Sequence, residues 1–403
     1  MITGSQTGAP ALASWHFWLS SLGTLLGIVA AAYAVTALIA VLRPRRRWTA
    51  PGAPPPVTVL KPLCGAEPRL YECLRSFCEQ AYPQFQIVFG VRDAADPATA
   101  VVRRLQREFP RLDLTLVVNA ARHGGNHKVN NLINMLARAR HEYLVLADSD
   151  ISVPAGYLAR VVAPLSDERV GIVTCPYLGR PLPGPWSALL AEFINGWFTP
   201  SVFVAALLGS RDFAFGSTIA LRRRVLHGIG GFEAIADQLA DDYRLGELTR
   251  RQGLLTVLSD VTVTTCASEP TLADLVRHEL RWLRTIRAVR PGGYVAAVVT
   301  FPLPLALAGC LLAGFQGAAP LLLAFTAAAR IVLHFLLPGG AGLLPGLLLP
   351  VSDIGAFLLW CRGFAGGRVR WRQASFRVRS DGSVYASRPV LDQALTGTPL
   401  EHD

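Results

Sequence analysis

Residues 17–42, FWLSSLGTLLGIVAAAYAVTALIAVL, contain no charged side chain. A helix needs about 20 apolar residues to cross the hydrocarbon core of a bilayer, so this run commits the chain to a transmembrane helix before any other element is considered. It follows a tail at 1–16, lacks a basic n-region and is long for a signal peptide, which identifies it as a retained anchor. Arg43, Arg45, Arg46 and Arg47 come next, and the first acid after them is Glu67. This asymmetry predicts that the region beyond the anchor is cytoplasmic.

A second apolar block covers 294–361, broken at Gln316, Arg330, Pro338 to Gly340 and Asp353. Three segments fit: 294–315, 318–337 and 343–361. The tail, 362–403, begins with a basic stretch in which Arg362, Arg368, Arg370, Arg372, Arg377, Arg379 and Arg388 stand against Asp381. It is again expected to be cytoplasmic, which requires an even number of crossings. One of the three segments is therefore short, re-entrant or interfacial, and Pro345 and Pro350 single out the third. Arg330 and Asp353 read as isolated charges, which discourages a transporter.

With 51% hydrophobic and 17% charged residues among 403, the chain is too apolar for a purely soluble enzyme. Its formal charge of +11 sits beside the apolar runs rather than along an aromatic-studded face, which predicts a membrane surface as partner and no nucleic acid. The seven Cys form no Cys-x-x-Cys pair, which argues against a disulfide framework or a structural zinc site.

Two further stretches have helical periodicity. Trp186, Leu189, Leu190, Phe193, Ile194, Trp197 and Phe198 form one stripe over 186–199, with Glu192 and Asn195 opposite. A core helix would carry the same stripe, but its two Trp favour a helix lying at the membrane surface. Within 275–293, Arg277, Arg281, Arg284, Arg287 and Arg290 accompany Leu280, Trp282, Leu283 and Ile286. This basic amphipathic helix suits anionic headgroups or a diphosphate.

Between these regions, after a stiff Pro-rich linker at 43–56, the pattern changes. VTVLK, QIVFGV, LTLVV and YLVLA alternate with helical patterns at 67–80, 97–109 and 127–140. The expected domain, 57–274, is α/β with a doubly wound, mostly parallel sheet, its ligands beyond the carboxyl ends of the strands. Asp93, Asp148 and Asp150 all fall at that edge. No G-x-G-x-x-G follows the first strand and no G-x-x-x-x-G-K-[ST] occurs, so dinucleotide and P-loop chemistry are unsupported. Asp148-Ser149-Asp150 suits Mg2+ or Mn2+ bridging a diphosphate, or equally the cap of the following helix. Asp93 also suits a turn, and Asp241-Asp242 a helix N-terminus. Lysine occurs only at 61 and 128, both at the ligand edge, while 37 of the 39 basic residues are arginine.

The ordered set GVRDAADP, GGNHKVNNL, LADSDI, FAFGSTIALRR, LADDYRLG and HELRW resembles the inverting, metal-dependent GT-A glycosyltransferases of the ceramide glucosyltransferase family. The resemblance is nearest to bacterial relatives in hopanoid biosynthesis, and it runs over 57–290 and again near RVRWRQASFRVR. It implies a GT-A catalytic domain between membrane helices, with Asp242 as the base that deprotonates an acceptor hydroxyl. Asp93 would meet the uridine of a UDP-sugar, and Asp148, with Asp150, would bind Mg2+ or Mn2+. Lys61, Lys128, Asn130, His278, Arg281, Trp282, Trp371 and Arg372 would serve the donor. His278 stands where the family has Gln or Arg, and Asp150 is an acid that some relatives acting on ceramide lack.

The implied protein transfers a sugar, N-acetylglucosamine by resemblance, from a UDP donor to a hopanoid headgroup, with its catalytic domain facing the cytoplasm from a bacterial inner membrane. Glucosylation of ceramide is the alternative, and a catalytically inactive GT-A-like module that binds lipid or a partner enzyme is the reading from another class.

Overall fold

The computed structural model describes residues 9–337, 346, 348–366, 368–371, 374–378 and 384–386. Strands β1 (Val57–Pro62), β2 (Phe85–Val91), β3 (Asp113–Val118) and β4 (Tyr143–Leu146) correspond to the four β-rich runs. The short β5 (Ile151–Ser152) precedes β6 (Val170–Thr174), β7 (Tyr177–Pro181), β8 (Ile219–Arg222), β9 (Leu255–Leu258) and β10 (Val263–Ala267). One sheet has the order β3-β2-β1-β4-β8-β6-β9, in which β8 alone runs against its neighbours. A smaller sheet, β5-β10-β7, lies beyond β4 in the chain. Every residue of β1 and β2 is buried, because helices cover both faces of the large sheet. One face packs on Leu74, Phe77, Val102 and Leu158, the other on Leu132, Met135, Phe232 and Leu245.

The 43–56 segment is fastened to this domain instead of bridging to it freely. Arg45 donates to the Asp260 carbonyl at 3.1 Å and the Thr262 hydroxyl at 2.9 Å, and the Tyr82 hydroxyl donates to the Pro55 carbonyl at 2.6 Å.

Among the described residues, three helical stretches are long and apolar enough to cross a membrane: Trp15–Leu42, Pro185–Leu207 and Ala319–Leu336. Pro291–Thr300 and Pro302–Leu312 together make a further candidate, bent by 69° between them. The expected segment 294–315 is therefore not one straight helix; Pro302, at the start of its second half, forces the break. Of the expected 343–361 segment, the described helix is Leu349–Gly363, only 15 residues. The N-terminal helix, Ala9–Leu42, packs on Pro302–Leu312 and Ala319–Leu336. A Cβ on Gly23 would lie 2.3 Å from the Gly309 carbonyl oxygen, and one on Gly309 would lie 2.4 Å from that of Gly23, so these two backbones touch.

The 186–199 stretch departs from its expected surface position. It forms the Pro185–Glu192 helix, a π-helical segment Phe193–Phe198 and the Thr199–Leu207 helix, and Glu192 and Asn195 are as buried as the apolar stripe. Asn195 accepts from the Gly179 amide at 2.7 Å and donates to its carbonyl at 3.0 Å, pinning the segment to β7. The buried pair Arg330–Asp353 corrects another expectation. The guanidinium meets both carboxylate oxygens, at 2.8 and 2.5 Å, so the two charges isolated in sequence form a bidentate bridge between apolar helices.

Candidate active site

A cleft of about 1040 Å³ opens beyond the carboxyl ends of β1 and β4. Its polar end is assembled by three loops. Asn126 caps the His127–Leu136 helix, accepting from the Lys128 and Val129 amides, while its own side-chain amide donates to the Gln238 carbonyl at 2.8 Å. The Gly125 amide donates to Asp237 at 2.7 Å, and a Cβ on Gly124 would come within 2.6 Å of the Ala236 carbonyl oxygen. GGNHK is thus docked on the segment leading to Asp241 and Asp242. That docking carries Lys128 to the acids: its ammonium lies 2.7 Å from Asp148 Oδ1 and 3.0 Å from Asp241 Oδ2. Burial opposes its charge, but Asp148, Asp241 and Asp242 outweigh that and hold its pKa above the ordinary lysine value.

Asp148 and Asp242 meet across Gly216, in the turn before β8. The Gly216 amide donates to Asp242 Oδ2 at 2.8 Å, and the Asp148 amide donates to the Gly216 carbonyl at 3.3 Å. Burial, reinforced by Asp241, raises the Asp242 carboxyl to about 6, against Lys128 and two backbone amides that favour its charged form. A Cβ at 216 would stand 2.7 Å from Asp148 Oδ2 and 3.1 Å from the Lys128 ammonium. Gly216→Ala is therefore expected to displace Asp148 and cut turnover by at least tenfold with thermal stability nearly unchanged; parallel rate and unfolding measurements check it.

From the other side comes the Leu272–Val289 helix. His278, Arg281 and Thr285 form one of its cleft-facing rows, and Glu279, Trp282, Leu283 and Ile286 the next. Burial lowers the Arg281 pKa, offset by Glu279, Asp148, Glu269 and Asp242, and the guanidinium has no ion pair among the described residues. The apolar wall is aromatic. Phe213 and Phe215 stack at 5.5 Å, Phe198 meets Phe215 at 5.4 Å and Tyr177 at 4.9 Å, and Trp197 stacks on Phe301 at 5.0 Å. This wall runs from the acids to the apolar helices.

The structure brings Lys128, Asp148, Asp242, His278, Arg281 and Trp282 to one cleft. Other expected residues take different parts. Lys61 is fully buried over the Phe77 ring and donates to the Asp148 carbonyl at 2.5 Å; burial lowers it to about 8. It braces the acidic loop from behind. Asn130 lines the cleft, but its amide is spent on the 123–124 loop, accepting from the His123 and Gly124 amides at 2.8 Å and donating to the Gly124 carbonyl at 2.8 Å. Asp93 is not in the cleft lining and accepts from the Ala95 amide at 2.9 Å, as a turn residue does. Asp150 faces Thr265, whose hydroxyl donates to it at 2.5 Å, and burial followed by Asp148 raises it to about 6. Its carboxylate is thus drawn towards β10 rather than paired with that of Asp148. His278 is held by Glu269 at 2.6 Å and lies edge-on to Trp282. Trp371 lies on the strand Arg368–Trp371 with its side chain outside the described residues, as is all of Arg372.

Sequence reasoning passed over Asp241 as a partner of Lys128, the aromatic wall, and Glu279. For the wall a signal existed: in FAF, Phe213 and Phe215 alternate around Ala214, which puts both rings on one side of an extended chain.

A mixed sheet of this order, with an acid–lysine cluster at the ligand edge, defines a GT-A-type glycosyltransferase fold. Residues 22–384 match the family described as Glycosyl transferase family 21, and the chain belongs to that family. Among similar proteins, Ceramide glucosyltransferase 1 of Caenorhabditis elegans is 26% identical over 239 residues, covering 59% of this chain and 51% of that protein. The Ceramide glucosyltransferase of Gibberella zeae is 32% identical over 133 residues, 30% of this chain and 25% of that protein. The chain spans about half the length of the first and a quarter of the second. Among solved structures, the Mannosyltransferase PcManGT from Pyrobaculum calidifontis in complex with GDP-Man and Mn2+ is 25% identical, with 84% of this chain and 92% of that chain covered and a TM-score of 0.49.

Proposed function

We propose that the protein is a membrane-anchored inverting glycosyltransferase that moves a sugar from a UDP donor to the headgroup hydroxyl of a membrane lipid. The observation that carries this reading is the meeting of Asp148 and Asp242 at Gly216 in a cleft whose aromatic wall leads to the apolar helices. Asp242 accepts the proton of the acceptor hydroxyl as that oxygen attacks the anomeric carbon from the face opposite the diphosphate, so the anomeric configuration inverts. Negative charge grows on the departing diphosphate, and Lys128 and Arg281 are the cations placed to offset it.

Among the described residues no three His, Cys, Asp or Glu side chains form a metal cage. Mg2+ does not need one, because it is commonly held by one or two carboxylates plus substrate phosphates. The residues fit a cation shared in that way: Asp148 would hold it, with Asp150 contributing only by leaving Thr265. When bound, such a cation neutralises diphosphate charge.

The acceptor class favoured is ceramide, on the names of the relatives; a hopanoid, implied by the motif resemblance, is the competing acceptor. By this reading the Arg-flanked anchor keeps the domain on the cytoplasmic face of a bacterial inner membrane. The test supplies purified protein with Mg2+ or Mn2+, UDP-glucose or UDP-N-acetylglucosamine, and vesicles containing ceramide or a hopanepolyol. Mass spectrometry should detect one new glycolipid, and the NMR coupling of its anomeric proton should show the inverted configuration. Retained configuration would overturn the mechanism, and no product with any pair would overturn the activity.

A further inference from the structure

We infer that Glu279 is an acceptor-recognition residue, whose buried carboxyl hydrogen-bonds an O–H or N–H of the lipid headgroup. The inference rests on the glycosyltransferase reading above and deepens it. Glu279 is 3% exposed, yet it lines the cleft, and its Oε1 has no hydrogen-bond partner among the described residues. A buried carboxyl oxygen left unpaired is costly, and native proteins rarely keep one unless something arrives to meet it.

Its surroundings select the arriving group. Glu279 heads the helical row that continues through Trp282, Leu283 and Ile286 along the cleft, so the carboxyl stands where a polar headgroup would join an apolar body. The neighbouring row holds Arg281, which suits phosphate; a carboxyl does not. Glu279, like Asp242, Asp150 and Asp148, is near enough to the half-buried Tyr177 for its charge to act on that phenol, and all five line the same cleft. Burial raises the Glu279 carboxyl to about 8, opposed by Arg281 and reinforced by Glu269, so near pH 7 it is mostly neutral and both donates and accepts. A neutral acid recognises hydroxyls and amides without repelling the negative charge of the donor.

The experiment uses the full chain in vesicles, as wild type, Glu279→Gln and Glu279→Leu, with ceramide and a hopanepolyol as parallel acceptors. Acceptor KM, kcat, UDP affinity and thermal midpoint are read for each. Glu279→Leu is expected to raise acceptor KM at least tenfold while UDP affinity stays within twofold, and Glu279→Gln, which keeps a donor and an acceptor, to stay within about threefold of wild type. An acceptor KM within twofold of wild type in Glu279→Leu overturns the inference, as does a change in thermal midpoint alone. Should Glu279→Leu not fold, the wild type still decides: ceramide methylated at its amide or its 3-hydroxyl, or, if that is the acceptor used, the hopanepolyol methylated at every hydroxyl except the one glycosylated, should show an acceptor KM at least tenfold higher, and equal KM values count against Glu279. If wild type neither binds UDP nor transfers sugar to either lipid, it is the glycosyltransferase reading that fails.

Discussion

Asp242→Asn is expected to lower kcat for sugar transfer by about 10²–10⁴-fold, the typical contribution of a positioned general base. UDP-sugar affinity should stay within about threefold, since the substitution leaves Lys128, Asp148 and Arg281 in place. Asparagine keeps an oxygen for the Gly216 amide that donates to Asp242, so the turn before β8 should survive and the loss should fall on kcat. The same residue dictates a pH signature. Its carboxyl is raised to about 6, and only the ionised form accepts a proton, so kcat/KM should be full above that value and fall as pH drops through it. Residual activity of Asp242→Asn should lack this acidic limb. Turnover at the wild-type rate in that variant would remove the proposed base, and an unchanged acidic limb would assign the titration to another group.

Asp353→Ala is expected to destabilise the protein by about 3–5 kcal/mol, because it strands the Arg330 guanidinium in a buried apolar setting. The pair lies 4% and 6% exposed between two apolar helices, and Glu192, the other buried carboxylate acting on Arg330, is already held by His334 at 3.3 Å. Arg330→Ala should cost a similar amount. Combining Arg330→Met with Asp353→Leu should recover most of the loss, since removing both charges also removes their desolvation cost. Thermal unfolding in one detergent, compared across the singles and the double, checks this; a single variant as stable as wild type would show that the bridge contributes nothing.

Elements whose local pattern and tertiary role coincide were legible from residues alone. β1, β2 and β4 were legible because a strand covered on both faces reads as a near-continuous apolar run, and the half-exposed edge strand β3 because its letters are β-rich. Asp148 was legible as a cleft residue because strand ends face the ligand edge, whereas Asp242 read as a helix start and entered the site only through the motif resemblance. Lys61 and Asn130 show what sequence leaves open: a polar residue at that edge can serve the loop as well as the ligand, and only the structure supplies its hydrogen-bond partners. Asp93 closes its own turn in the same way. Charges 23 positions apart give no sign in sequence that they meet, which hid the Arg330–Asp353 bridge. A helical stripe likewise cannot reveal that Glu192 and Asn195 have partners inside the protein, so the 186–199 segment looked amphipathic when it is enclosed.

The contact between Gly23 and Gly309 bears on how the N-terminal segment is specified. Greasiness and length suffice to insert a helix into lipid, and countless sequences would meet that demand. Direct backbone apposition is far more selective, since any side chain at either position would wedge the two helices apart. The segment is therefore an integral wall of the helical assembly, and its evolutionary freedom is narrowest at residues that contribute no hydrophobicity of their own.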